Sequence, residues 1–322
     1  MLLILTSRDD YHTKIVVSKL KNQIDYFILN LDIDSLKNTI IKFCNGEWII
    51  KQDKQTITGA EISSVWCREA FVKVGFDERD LLNDNDFKIF KNEWNATLNG
   101  LYVSLYNKKW LNPLSKAFMG ENKYYQMKIA SEIKLKMPKT IISNDKNELI
   151  NFSKMCNDDI ILKPMKQTFY EFKDGSFGGF YTNRISTDDL KNFNEQNENP
   201  IFLQEYIAKD YEVRYTFVDG RHFVCKIDSQ KSKIANEDWR RYDLGNTPHI
   251  AIIPPANIKE KVNLLIKRLG LRYGALDFII TPTNEWIFLE INCFGQWLWI
   301  ENLSGLDISG AICDWAIANT SK

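Results

Sequence analysis

The sequence is poor in the residues on which many catalytic and metal sites depend. It has three histidines, His12, His222 and His249, in 322 residues, and none of them stands in an HxxxH arrangement. Its six cysteines include no CxxC pair. Histidine triads and thiolate zinc sites therefore have little support, and a disulfide framework is not expected. Any chemistry should depend on lysine, arginine, aspartate and glutamate.

Long apolar runs and an excess of one charge are also lacking. The opening segment MLLILTSRDD reaches Arg8 and Asp9 after an apolar run that is too short for a signal-peptide core. No stretch approaches the ~20 apolar residues that a membrane helix needs. With 42 basic and 42 acidic residues the formal net charge is +0, which excludes a polybasic, histone-like protein. We expect a soluble, cytoplasmic protein that binds neither membrane nor nucleic acid.

The sequence does contain alternating strand and helix patterns, as expected for an α/β protein. Apolar strands at 2–6 and 25–31 flank a helical pattern, which predicts a βαβ opening without a GxGxxG phosphate loop. Turn signals at Asn112-Pro113 and Gly120 predict a break at 108–123. After residue 201 the pattern favours paired strands, with a hairpin turn at Asp219-Gly220. We predict three units: 1–108, an α/β domain; 109–203, a central lobe; and 204–322, a C-terminal lobe with a metal site.

The most informative segment is the last predicted hairpin. In WIFLEIN, Glu290 and Asn292 are two residues apart and share one face of a strand, with Leu289 and Ile291 expected on the other. Asp277, on the preceding strand, joins them if the register is right. Two carboxylates and one amide suit Mg²⁺ bridging to phosphate oxygens. The alternative is a polar, solvated sheet face.

Four basic side chains are candidates for binding an anion. Lys163 ends a hydrophobic strand before a proline, where it either extends its amine to solvent or binds an anion. Lys123 begins a predicted helix, where the dipole disfavours a cation unless an anion is near; alone it is an ordinary surface lysine. Arg240 and Arg241, within DWRRYD, are suited to a carboxylate or phosphate, or form a solvated charge cluster.

The order of these pieces is more specific than any one of them. The chain resembles the ATP-grasp superfamily over about residues 110–300, where a lysine, a lysine-proline, QEY at 204–206, Glu212, an aspartate and ExN follow one another in that order. The strings NPLSKAFMGENKYYQMKIA, KDYEVRYTFVDGRHF, IDSQKS, DWRRYD and LEINCFGQWLWIE resemble the graspetide (microviridin-type) peptide ligases. The resemblance implies an ATP-grasp fold of two α+β lobes, with an N-terminal Rossmann-like (pre-ATP-grasp) domain.

The resemblance also implies a ligand for each motif. ATP would be bound by Lys123 and Lys163 at the phosphates, by Gln204, Glu205 and the backbone of Tyr206 and Ile207 at the adenine, and by Glu212 at the ribose. Two Mg²⁺ ions would be held by Asp277, Glu290 and Asn292. The acceptor carboxylate or the phosphate would be held by Arg214, Arg240 and Arg241.

The activity implied is an ATP-dependent ligation within a ribosomal precursor peptide that has a leader and an acidic core. An Asp or Glu carboxyl becomes an acyl phosphate and joins a Ser or Thr hydroxyl or a Lys amine, which closes a ring. The aromatic segment 166–183 would dock the leader, although a displaced phosphate loop or an ordinary hairpin is the alternative. A homodimer is expected by analogy. Two other functions stay open: addition of free amino acids to a protein or peptide terminus, and a non-catalytic peptide-binding module.

Overall fold

The computed structural model of the chain describes residues 1–21, 23–165, 169–171, 177–179, 182–193, 199–231 and 247–320. Within these ranges the predicted α/β architecture is confirmed, with helices packed on several sheets. None of the described helices is both long and apolar enough to cross a membrane.

The N-terminal part is built on a parallel four-stranded sheet. Its order is β2 (Tyr26–Asn30), β1 (Leu2–Thr6), β6 (Ser64–Cys67) and β7 (Lys109–Leu111). The run LLILT is buried throughout because both faces of β1 are covered, as is usual for a central parallel strand. Helix α1 (Tyr11–Leu20) follows β1 and begins where the Asp10 carboxylate accepts the backbone N–H of His12.

Smaller elements complete this part of the chain. Helix α2 (Ile33–Lys37) precedes an antiparallel sheet of β3 (Ile40–Cys44), β4 (Glu47–Gln52) and β5 (Gln55–Thr58). A 3₁₀ helix (Phe76–Asn83) leads into the long helix α3 (Asn85–Ser104).

The segment 108–123, predicted as a break, contains β7 and helix α4 (Leu114–Gly120). Asn112 joins them and is buried. Its Oδ1 accepts the N–H groups of Arg272 and Tyr273 at 2.7 and 2.8 Å, and its Nδ2 donates to the carbonyls of Tyr273 and Cys293. The turn residue therefore connects the N-terminal part to the strands of the predicted metal site.

The central sheet is antiparallel. Its order is β12 (Asn183–Ile185), β9 (Ile160–Lys163), β13 (Ile201–Glu205) and β8 (Thr140–Ser143). The helices of this part are α5 (Lys123–Glu132), α6 (Lys146–Met155) and α7 (Thr187–Lys191). The backbones of β10 (Phe169–Glu171) and β11 (Phe177–Gly179) pair antiparallel, while the rest of the predicted 166–183 hairpin lies largely outside the described residues.

The C-terminal sheet has five antiparallel strands. Their order is β16 (His249–Ala251), β15 (Arg221–Ile227), β14 (Tyr211–Val218), β17 (Tyr273–Ile280) and β18 (Trp286–Asn292). The predicted turn between β14 and β15 has positive φ at Asp219 and Gly220, as a two-residue hairpin turn requires. The remaining elements are a 3₁₀ turn (Ser229–Lys231), α8 (Ala256–Leu269), α9 (Leu298–Ser304) and α10 (Ile308–Asn319).

Both faces of the C-terminal sheet are covered by apolar contacts. On one face, side chains such as Tyr215 and Phe278 pack with α8 and α5. On the other face, Tyr273 and Ala275 pack with α10, and the same cluster includes Leu2 and Ile4 of β1. The N-terminal sheet and the C-terminal sheet therefore share a core, which fixes the N-terminal part against the strands of the predicted metal site.

Candidate active site

A cleft separates the central sheet from the C-terminal sheet. It encloses about 700 Å³ of space, part of which is open solvent. Many residues that the sequence assigned to nucleotide and metal binding line it: Lys163, Glu205, Tyr206, Ile207, Glu212, Asp277 and Glu290. The structure thus brings together side chains from β9, β13, β14, β17 and β18.

The register of β17 and β18 places the two carboxylates on one face. Asp277 is paired with Glu290, and Ala275 with Asn292, so the three polar residues share a face as predicted. Both carboxylates are buried. Asn292 is only partly buried and is not among the residues that line the cleft.

The prediction for Leu289 was wrong. It was expected on the face opposite Glu290, but it lines the same cleft. The pairing shifts by one residue between Asp277 and Phe278, which makes Leu289 the extra residue of a β-bulge. A bulge interrupts the alternation of side chains and redirects those around it.

Arg214 lies on β14 directly opposite Asp277. Its Nη1 donates to both Asp277 oxygens, at 2.9 and 3.1 Å, and its Nη2 donates to the Gln296 carbonyl at 3.1 Å. Burial alone would lower the pKa of the guanidinium, but the Asp277 carboxylate outweighs that effect and the pKa is raised. A buried, permanently charged arginine therefore stands beside the predicted metal ligands.

The two predicted phosphate-binding lysines differ in their surroundings. Lys123 begins α5, whose N-cap is Asn122, and forms an ion pair with Glu290. Lys163 ends β9, is 8% exposed, and places its Nζ 5.8 Å from the centre of the Phe202 ring. A lysine this deeply buried does not extend its amine freely to solvent, so the arrangement favours the anion-binding interpretation over the alternative.

The other end of the cleft presents a different set of groups. Glu205 accepts from the Lys139 amine at 3.3 Å, and the Arg184 guanidinium lies 4.2 Å from the centre of the Tyr206 ring. Glu212 forms a buried ion pair with Lys209 at 3.0 Å. Aromatic and apolar surface beside acceptor groups suits a purine base and its sugar.

Some predicted site residues lie elsewhere. Gln204 is buried on β13 and donates to Thr140 Oγ1 at 3.0 Å rather than lining the cleft. Arg240 and Arg241 lie outside the described residues. Sequence reasoning missed Lys209 and Arg184 in the lining. The spacing of Lys209, three residues before Glu212, was a usable signal, whereas nothing in the sequence around Arg184 distinguishes it.

The donor set fits magnesium bound together with phosphates. No group of three or more His, Cys, Asp or Glu side chains suitable for a metal ion occurs among the described residues. Asp277, Glu290 and the Asn292 amide supply two carboxylates and a neutral oxygen. Mg²⁺ is commonly held by one or two carboxylates with substrate phosphates completing its shell, rather than by an all-protein cage.

Comparisons with solved structures give the fold. The RiPP-associated ATP-grasp ligase of Chryseobacterium gregarium, solved with ADP and a leader and core peptide, is 27% identical with a TM-score of 0.87, covering 100% of this chain and 97% of that one. Macrocyclase MdnB of Microcystis aeruginosa is 25% identical with a TM-score of 0.77, over 98% of both chains. Macrocyclase MdnC of the same organism, bound to precursor peptide MdnA, is 24% identical with a TM-score of 0.85, over 99% and 100%.

Comparisons with curated proteins give more distant relatives. The alpha-aminoadipate–LysW ligase LysX of Sulfurisphaera tokodaii is 22% identical over 248 residues, which are 73% of this chain and 81% of the relative. No protein-family model matches the chain. The resemblance inferred from the motifs is confirmed by the structural matches, which extend over the whole chain.

Proposed function

We propose that this chain, an ATP-dependent ligase of the ATP-grasp fold, links side chains within a ribosomally made precursor peptide to form rings. The observation that carries the proposal is the cleft in which Asp277 and Glu290 face Lys163 between two sheets. Support also comes from the 27% identity, along the whole chain, to a ligase solved with ADP and a leader and core peptide.

The proposal assigns ATP to this cleft. Lys163 and Lys123 would hold the phosphates, since both are cations beside the two carboxylates. Glu205 and the backbone of Tyr206 and Ile207 would hold the adenine, with Gln204 buried behind them. The ribose hydroxyls would donate to Glu212.

Magnesium would be held by Asp277, Glu290 and Asn292. When bound, the metal neutralises charge on the phosphates during transfer. Arg214 fixes the Asp277 carboxylate through two hydrogen bonds, so this ligand is oriented by the protein itself. Lys123 forms an ion pair with one oxygen of Glu290.

The proposed reaction has two steps. An Asp or Glu carboxylate oxygen of the peptide attacks the γ-phosphorus of ATP, the bond to the β-phosphate oxygen breaks, and ADP and an acyl phosphate form. A Ser or Thr hydroxyl or a Lys amine then attacks the acyl carbon and loses its proton, and phosphate leaves with the original carboxylate oxygen. Arg214, together with Arg240 and Arg241, would hold the acceptor carboxylate or the leaving phosphate.

The partner in this proposal is a precursor peptide with a leader and an acidic core, and the leader would dock on the 166–183 segment. The enzyme would work in the cytoplasm, where newly made peptide and ATP occur together. A homodimer is part of the proposal by analogy alone.

Mass spectrometry of a precursor incubated with enzyme, ATP and Mg²⁺ tests the proposal. We expect the loss of one water per link formed. Lys163→Met should abolish the loss, while Lys191→Met, which removes an exposed lysine paired with Asp188, should leave it intact. An unchanged precursor mass with every acidic peptide encoded near the gene would contradict the proposal.

A second candidate function is the addition of free amino acids to a protein or peptide terminus. The observation that favours it is the similarity to the alpha-aminoadipate–LysW ligases. The same experiment distinguishes the two, because such an addition increases the mass of the acceptor whereas ring closure decreases it.

A further inference from the structure

The loop that follows β18 is held by side chains at almost every peptide group. Its carbonyls at Phe294, Gly295 and Gln296 accept from Arg68, Tyr273 and Arg214, at 3.3, 2.6 and 3.1 Å. At its ends, the Cys293 N–H donates to Glu121 and the Trp297 N–H donates to His12 Nε2 at 3.3 Å. Five separate side chains thus hold this loop, which connects predicted ligand Asn292 to helix α9.

The loop is also closely packed at Gly295. A Cβ on Gly295 would lie 2.6 Å from the Ala275 Cβ and 2.8 Å from Arg214 Nη2. The backbone therefore passes against the strand that carries Asp277. Because Arg214 bonds both the Gln296 carbonyl and Asp277, a displacement of the loop would displace Arg214 and with it the carboxylate.

Two of these contacts come from the N-terminal part of the chain, none of whose described residues lines the cleft. Arg68 follows β6, and its Nε donates to Asp10 at 3.2 Å while its Nη1 donates to the Phe294 carbonyl. His12, in the first turn of α1, is 9% exposed, and its ring meets the Trp297 indole edge-on at 5.0 Å. Asp10 connects the two, since it also lies 2.9 Å from His12 Nδ1.

The hydrogen bonds determine which ring nitrogen of His12 carries the proton. A backbone N–H can only donate, so Nε2 accepts from Trp297 and carries no proton. Nδ1 must then carry the proton and donate it to the Asp10 carboxylate. Thr6 and Thr13 also donate to Asp10, so both oxygens of this carboxylate have partners. Such an arrangement orients an imidazole in one tautomer.

We infer that His12 and Arg68 are positioning residues for the ligase reaction: they fix the Cys293–Trp297 loop, and through it Arg214, from outside the cleft. Neither residue is among those that line the cleft. The inference rests on the proposed function only in its kinetic part. Small displacements of groups that orient reactants reduce turnover more than binding.

Two substitutions at His12 separate its two hydrogen bonds. His12→Gln keeps an acceptor near the Nε2 position and can still receive the Trp297 N–H. His12→Asn keeps a donor to Asp10 near the Nδ1 position but cannot reach Trp297. We expect kcat of His12→Asn to fall about tenfold or more, with the KM for ATP and for peptide nearly unchanged, and His12→Gln to stay within about threefold of wild type.

Arg68→Lys gives a second, independent test. A single amine cannot reach both Asp10 and the Phe294 carbonyl as the guanidinium does, so kcat should fall by about tenfold. Arg8→Lys is the matched control, because Arg8 is exposed and lies 3.7 Å from exposed Asp53. It should leave kcat unchanged. Equal losses for the two His12 variants, or a loss confined to KM, would overturn the inference.

Hydrogen exchange followed by mass spectrometry tests the same contacts without any activity. The peptide spanning residues 293–297 should exchange faster in His12→Asn than in wild type and should be slow again in His12→Gln. Unchanged exchange in His12→Asn would refute the structural claim. If wild type linked no peptide, the proposed function would fail, while this exchange experiment would still decide whether His12 holds the loop.

Discussion

The contact between Arg214 and Asp277 gives the most direct energetic prediction. Arg214 donates three hydrogen bonds from a position that is 5% exposed, two to a carboxylate and one to the Gln296 carbonyl. Lysine keeps the charge but presents one amine on a different stem, so it cannot serve both partners at the arginine geometry. Loss of one or more hydrogen bonds to a charged group should cost about 2–3 kcal/mol in the free energy of unfolding.

Urea denaturation of Arg214→Lys measures this cost as a shift of the midpoint at constant slope. The matched control is Arg221→Lys, in the same sheet, whose partner Asp314 is 70% exposed at the side chain while Arg221 is 48% exposed. An exposed pair contributes little, so the control should change stability by less than about 0.5 kcal/mol. A midpoint for Arg214→Lys no lower than that of the control would refute the assignment of these hydrogen bonds.

Three further predictions concern the proposed metal ligand Glu290, the Cys293–Trp297 loop and the dependence of stability on pH. Glu290→Ala should reduce Mg-ATP turnover by about a thousandfold, because a carboxylate that offsets the metal's charge is removed; surviving turnover would refute this assignment. Gly295→Ala should destabilise the fold by about 1–3 kcal/mol because its Cβ would meet Arg214 and strand β17. The control is Gly100→Ala, in the interior of α3, where a Cβ would have no neighbour nearer than 3.7 Å and should stabilise the fold by about 0.5–1 kcal/mol. Equal effects of the two substitutions on thermal unfolding would contradict the close approach at Gly295. Burial would raise the pKa of Asp10, but the hydrogen bond to His12 and the charge of Arg68 lower it overall, so Asp10 stabilises the fold above its unfolded pKa of about 3.9 and loses this effect as pH falls below it. Asp10→Asn should therefore be less sensitive to acid between about pH 5 and pH 2, and equal acid sensitivity would show that the Asp10 contacts contribute nothing.

The sequence predicted the shared face of Asp277, Glu290 and Asn292 correctly because side-chain alternation is a local property. Glu290 and Asn292 share a face because they are two residues apart on one strand, and Asp277 lies opposite Glu290 on the neighbouring strand. The bulge at Leu289 was not predictable in this way, since no glycine or proline marks it and it depends on how two strands pair.

Contacts between distant segments explain most of what sequence reasoning missed. The contact between Arg214 and Asp277 was not foreseen, because it depends on β14 lying beside β17, 63 residues away along the chain. Sequence reasoning did not connect Asp10, His12 and Arg68 with one another or with the Cys293–Trp297 loop. Their connection to the Cys293–Trp297 loop exists because the N-terminal and C-terminal sheets share a core.

Short elements were missed for a related reason. Strand β7 has three residues and becomes regular only by pairing with β6, and α4 begins beside the Asn112 side chain bonded to Arg272 and Tyr273. Turn-forming residues at 112–113 were correctly identified as a change of direction. The local sequence at 112–113 carries no information on β17, the distant strand that the Asn112 side chain contacts.

The central claim is that a peptide carboxylate is activated by phosphoryl transfer in the cleft beside Asp277 and Glu290. A precursor peptide whose Asp and Glu carboxyl groups carry a heavy oxygen isotope tests this directly. If an acyl phosphate forms and is then displaced, one heavy oxygen per link must appear in the released inorganic phosphate. Phosphate free of the isotope, in a reaction that does form links, would contradict the claim.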